Sequence, residues 1–126
     1  MSLCALVVDD SMLARHTVSR FLEERGFTVR SVCNGREALE QLTTIDPDLI
    51  ITDLEMPCMD GREFIGALKK NPNTASIPVV IVAARDHAHA DDQNHANYTI
   101  FKDIDIETQL ATALAAIFGT SAWAPS

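Results

Sequence analysis

No apolar run in this sequence is long enough to cross a bilayer. The longest, Ile77–Ala84, falls well short of the roughly 20 residues that a hydrocarbon core requires. No secretory leader is expected either: Leu3–Val8 is apolar, but no basic stretch precedes it and Asp9-Asp10 follows at once. Together these absences predict a cytoplasmic protein. Cysteine is scarce and scattered. Cys4, Cys33 and Cys58 are odd in number and none belongs to a C-x-x-C pair, so neither a disulfide framework nor a zinc site is suggested, and reduced thiols are expected. Positive charge is in deficit. Ten Lys and Arg against 18 Asp and Glu leave a formal net charge of −8, and a nucleic-acid duplex repels so acidic a surface. Neither nucleic acid nor membrane is expected as a direct partner; other proteins and cations are.

What is present is core-forming material arranged with a rhythm. Hydrophobic residues make up 47% of 126 residues, enough for one domain. Short apolar runs, Leu3–Val8, Asp48–Thr52 and Pro78–Ala84, suit strands covered on both faces, and Thr28–Val32 and Tyr98–Phe101 are shorter strand candidates. Helical patterns lie between them. Ser11 can cap a helix in which Ala14, Val18, Phe21, Leu22 and Arg25 share a face and which Gly26 stops. Asn34-Gly35 precedes a helix over Arg36–Thr43, a third runs over Gly61–Lys70, and Ile106, Leu110, Ala113, Leu114 and Ile117 form an amphipathic stripe closed by Gly119. The alternation predicts an α/β fold, a doubly wound five-stranded parallel sheet with helices on both faces. Arg85–Asn97 is polar, with three histidines, and predicts a short or irregular fourth helix. Residues 1–119 form the expected domain, and 120–126 a loose tail.

Ligands bind at the carboxyl ends of strands in such sheets. Asp9 and Asp10 follow the first strand, and Asp53 the third. Should those strands be neighbours, three anions converge and raise one another's pKa. A hard divalent cation with oxygen ligands resolves the conflict, and Mg²⁺ needs only one or two carboxylates. Mg²⁺ in turn suits phosphoryl transfer, which needs a nucleophile and a further positive charge: Asp53 can supply the first and Lys102, after the fifth strand, the second. Each piece has a plainer reading. Asp-Asp after a strand also caps helices, Asp53 also suits a turn, and lone lysines are usually solvated. A His87, His89, Asp91, Asp92 and His95 metal site is disfavoured because the spacing fixes no face. Met56 and Met59 read as loop packing and Arg62 as solvated.

Val7-Val8-Asp9-Asp10-Ser11, Asp53-Leu54-Glu55-Met56-Pro57-Cys58-Met59-Asp60-Gly61, Ile77–Ala84 and Lys102, in this order and spacing, resemble the receiver domains of two-component response regulators from about Leu3 to Gly119. The resemblance implies a flavodoxin-like sheet of strand order 2-1-3-4-5. It also implies that Asp53 is the phospho-acceptor, that Asp9, Asp10, Asp53 and the backbone carbonyl of Glu55 bind Mg²⁺, and that Lys102 contacts the phosphoryl group. The donor would be a sensor histidine kinase or a histidine phosphotransfer protein. The output partner is not named by the sequence, and no enzyme activity beyond the chain's own phosphorylation and dephosphorylation is implied.

The switch positions depart from that pattern. Ala83 stands where the family has Thr or Ser. Asp103 replaces the proline after the lysine, and a non-proline cis bond costs about 2.5–4 kcal/mol, so a trans peptide or a rearranged loop is predicted. Thr99 occupies the aromatic slot with Tyr98 one place earlier, and in a strand that shift reverses the face. A working acceptor with an altered relay is the resulting expectation. Two alternatives stand beside it. One is a degenerate receiver that docks without phosphate. The other is an aspartate-nucleophile phosphatase, for which Glu55 is the only mimic of the required second acid.

Overall fold

A computed structural model describes residues 3–56, 58–59, 61–83, 98–102 and 105–119. Five strands, β1 (Leu3–Val8), β2 (Phe27–Val32), β3 (Leu49–Thr52), β4 (Val79–Ala83) and β5 (Tyr98–Phe101), form one sheet of order β2-β1-β3-β4-β5. All pairings are parallel. The described helices are α1 (Met12–Glu24), α2 (Gly35–Gln41), α3 (Gly61–Lys70) and α4 (Ile106–Phe118).

The three inner strands, β1, β3 and β4, are largely apolar because their successive side chains enter two separate cores, whereas the edge strand β2 exposes Thr28 and Ser31. Ala5, Val7, Leu49, Ile51, Val80, Val82 and Ile100 meet Val18, Phe21 and Leu22 of α1 and Leu110 and Leu114 of α4. The alternate residues Leu6, Val8, Ile50, Val79, Ile81 and Ala83 meet Ala38 of α2 and Phe64, Ile65 and Leu68 of α3. The doubly wound architecture and its strand order are those that the sequence implied.

The helix ends are capped from the sequence. Ser11 Oγ accepts from Ala14 N, and Asn34 Oδ1 accepts from Glu37 N. Gly26, at φ +92°, turns the chain after α1, and Gly119, at φ +70°, closes α4. Several boundaries differ from expectation, with β3 starting one residue later than Asp48 and β4 one later than Pro78. β2 begins at Phe27, which is 4% exposed and belongs to the core. α2 spans Gly35–Gln41 rather than 36–43, because the hydroxyls of Thr43 and Thr44 donate back to the carbonyls of Glu40 and Gln41 in the turn that ends it. The predicted fourth helix over Arg85–Asn97, its histidines, the peptide after Lys102 with Asp103, and the tail 120–126 lie outside the described residues. Among those described, no helix is long and apolar enough to cross a membrane.

Candidate functional site

The register between β1 and β3 pairs Val8 with Thr52, so Asp9 and Asp53 leave neighbouring strands at the same level. Backbone bonds carry the pairing one residue further: Asp53 N–H donates to the Val8 carbonyl at 2.8 Å, and Asp9 N–H to the Val32 carbonyl at 3.1 Å. Both acids are nearly closed off, at 4% exposure for Asp9 and 5% for Asp53, whereas Asp10 is exposed. One ligand oxygen from each of Asp9, Asp10 and Asp53 lies within 4.8 Å of the others.

Lys102 reaches this group from two strands away. It follows β5, and its N–H donates to the Ala83 carbonyl at 2.9 Å. Its side chain then crosses the end of β4, an inter-strand span of about twice 4.8 Å that only a long side chain helps to bridge. Its Nζ lies 2.9 Å from Asp53 Oδ2 and 3.2 Å from Asp9 Oδ2. Asp53 Oδ1 accepts from Leu54 N–H at 2.8 Å, and Asp9 Oδ1 from Ser11 N–H at 2.9 Å.

Three carboxylates against one ammonium leave the cluster short of positive charge. Burial, followed by the charge of Asp53, raises the Asp9 carboxyl above the usual carboxylate range, against the pull of Ser11 N–H and Lys102. Burial alone would lower the Lys102 ammonium, but its hydrogen bond to Asp53 and the charges of Asp9 and Asp53 outweigh that and hold it above its ordinary value. The donor set, carboxylate oxygens without nitrogen or sulfur, suits a hard divalent cation.

The chain matches the family described as "Response regulator receiver domain" over residues 5–115. It belongs to that family. The receiver domain is 34% identical over 118 residues to a probable chemotaxis protein CheY of Rhizobium etli, covering 90% of this chain and 91% of the relative. It is 42% identical over 81 residues, 63% of this chain, to a protein-glutamate methylesterase/protein-glutamine glutaminase of Treponema denticola, of which it covers 21%. The chain spans about a fifth to a third of the length of several curated relatives it matches. Among solved structures it is similar to the chemotaxis response regulator CheY4 of Vibrio cholerae, with a TM-score of 0.81, 29% identity, and coverage of 93% and 99% of the two chains.

The fold thus brings Asp9, Asp10, Asp53 and Lys102 of this receiver domain together. The remaining positions singled out in the sequence are arranged around them. Ala83 is fully buried, its methyl in the core beneath α3, and it contributes its carbonyl to Lys102. Tyr98 shares its face of β5 with the buried Ile100 but is 39% exposed, while Thr99 points to the other face, its hydroxyl buried without a hydrogen-bond partner among the described residues. Glu55 lies in the loop after β3, with its side chain exposed. Met56 and Met59 pack against the core under α3.

Arg62 is not simply solvated. The bond from Gly61 N–H to the Leu54 carbonyl folds the loop back, and Arg62 Nη1 meets Glu55 Oε1 at 3.3 Å. Sequence reasoning missed Arg15, whose Nη1 donates to the Asp9 carbonyl at 2.8 Å and fixes the Asp9–Asp10 peptide. Its one signal was placement a helical turn beyond the Ser11 cap. Gln109, whose side-chain amide grips β5, was missed as well.

Proposed function

We propose that Asp53 accepts a phosphoryl group and that Asp9, Asp10, Asp53 and the Glu55 carbonyl hold Mg²⁺ beside it. The observation that carries this reading is the convergence of three carboxylates within 4.8 Å of one another, with the Lys102 ammonium 2.9 Å from Asp53. A carboxylate oxygen of Asp53 attacks phosphorus, forming a P–O bond. The bond from phosphorus to the donor's nitrogen (phosphohistidine) or oxygen (acetyl phosphate) breaks, and its electrons leave with the donor. Bound Mg²⁺ supplies positive charge to the phosphoryl oxygens. Lys102 is free to follow the charge from the Asp53 carboxylate to those oxygens, and Leu54 N–H fixes the carboxylate's orientation. The donor is a sensor histidine kinase or a histidine phosphotransfer protein, because a phosphoryl group on a protruding imidazole can enter a pocket in which Asp9 and Asp53 are almost closed to solvent. The domain spans residues 1–119 and acts on no substrate other than itself.

Ala83 favours an altered relay. Its methyl cannot hydrogen-bond a phosphoryl group, and Tyr98 and Thr99 lie on opposite faces of β5, so coupling through a strand-four hydroxyl and a neighbouring aromatic ring is absent. Intact mass after incubation with Mg²⁺ and acetyl phosphate tests the acceptor. A Mg²⁺-dependent phosphoryl adduct is expected, and it disappears in Asp53→Asn. No adduct from acetyl phosphate, phosphoramidate or a panel of kinases would instead identify a docking module that works without phosphate.

A further inference from the structure

We propose that Gln109 is the positioning residue for Lys102, a role that rests on the phosphoryl-acceptor reading. β5 is the outer strand, and its hydrogen-bonding groups alternate between inward and outward. Lys102 N–H points inward, to Ala83. Both polar groups of the preceding Phe101 point outward, where a bare edge would leave them to water. The Gln109 carboxamide takes both. Oε1 accepts from Phe101 N–H at 3.1 Å, and Nε2 donates to the Phe101 carbonyl at 3.0 Å. The same Nε2 lies 3.2 Å from the Asp105 carbonyl, at the cap of α4.

One side chain therefore ties the residue before Lys102 to the cap three residues after it. The next residue on α4 is Leu110, fully buried in the core with Ile100. Lys102 is held between β4 on one side and α4, through Gln109, on the other. That bracket fixes the origin of a long, flexible side chain that must cross β4 to reach Asp53. An apolar residue at position 109 would keep the helix and lose the grip. Gln109 touches neither the acids nor an incoming phosphoryl group, so its effect passes through Lys102.

The test compares the unaltered chain with Gln109→Leu and with the isosteric Gln109→Glu, which retains the acceptor and loses both donations. Each is made with Lys102 present and in a Lys102→Ala background. With Mg²⁺ and acetyl phosphate, both variants are expected to slow phosphorylation about tenfold when Lys102 is present. Neither is expected to slow it further when Lys102 is absent, since residues acting through one another are not additive. A second readout needs no phosphorylation. In metal-free protein, the lysine ammonium NMR signal that vanishes in Lys102→Ala should shift or broaden in the Gln109 variants. Equal slowing in both backgrounds overturns the proposal, because Gln109 would then only cap the sheet edge. An unchanged rate and an unchanged ammonium signal in folded variants overturn it as well. Failure of the unaltered chain to take phosphate sinks the acceptor reading instead, and the ammonium signal then decides the role of Gln109 alone. Gln109→Glu keeps size and shape if Gln109→Leu does not fold.

Discussion

Gly61 shows how closely the backbone is drawn in around Asp53. A Cβ there would run into the Asp53 carbonyl oxygen and lie 2.8 Å from Leu54 Cα, both backbone atoms with no room to yield. The α3 amino end is pressed onto the end of β3 by the bond from Gly61 N–H to the Leu54 carbonyl. Gly61→Ala is expected to cost about 1–3 kcal/mol, as overpacking does, and to weaken Mg²⁺ binding by displacing Asp53. Urea unfolding without metal reads the first, and calorimetric titration with Mg²⁺ the second. Unchanged stability and affinity would mean that the loop relaxes freely. In the sequence Gly61 belonged to a motif, but its physical need, close approach rather than an unusual φ, emerges only once the loop is folded. Arg15 is similar: a helical arginine says nothing of a carbonyl six residues back until the chain turns.

At the scale of the element, capping decides where the helices begin. Asn34 Oδ1 accepts from Glu37 N–H at 2.9 Å, and Glu37 Oε1 accepts in return from Cys33 N–H at 3.3 Å. Asn34→Ala is therefore expected to destabilise the protein by about 1 kcal/mol, measured as a lower urea midpoint with an unchanged slope. α2 needs its cap, since at seven residues it has few hydrogen bonds of its own. The elements were largely legible in advance. Three short apolar runs suited strands covered on both faces of a parallel sheet, two shorter candidates completed the alternation, and Ser11, Asn34, Gly26 and Gly119 marked helix ends by their chemistry. Boundaries were less legible where tertiary packing overrode local pattern. Phe27 joins β2 because the core takes its ring, and Gly35 opens α2 directly after the Asn34 cap, packed so closely that a Cβ there would meet Met59 and Phe64 at 3.0 Å.

Across the whole molecule, the cost of the acid cluster couples stability to pH and to metal. Asp9 holds its proton more tightly folded than unfolded, chiefly because it is buried. Its contribution to stability is therefore present below the unfolded carboxylate pKa and is lost as pH rises through the folded one. In metal-free protein, Asp9→Asn should flatten that part of the pH profile and leave the variant more stable than the unaltered chain at neutral pH. Urea midpoints from mildly acidic to neutral pH check it, and a variant less stable at every pH would show that Lys102 already balances the charge. Mg²⁺ at a hundred times its dissociation constant should stabilise the unaltered chain by about 2.7 kcal/mol, and Asp53→Asn far less. The sequence by itself determined the alternating elements, the parallel sheet and which acids end which strands, because these follow from local periodicity and chain order. Only the tertiary structure decided the 2.9 Å reach of Lys102 across β4, the grip of Gln109 on the edge strand, and the pairing of Arg62 with Glu55. Those depend on where long side chains end in space, which strand register and helix packing set and no local pattern encodes.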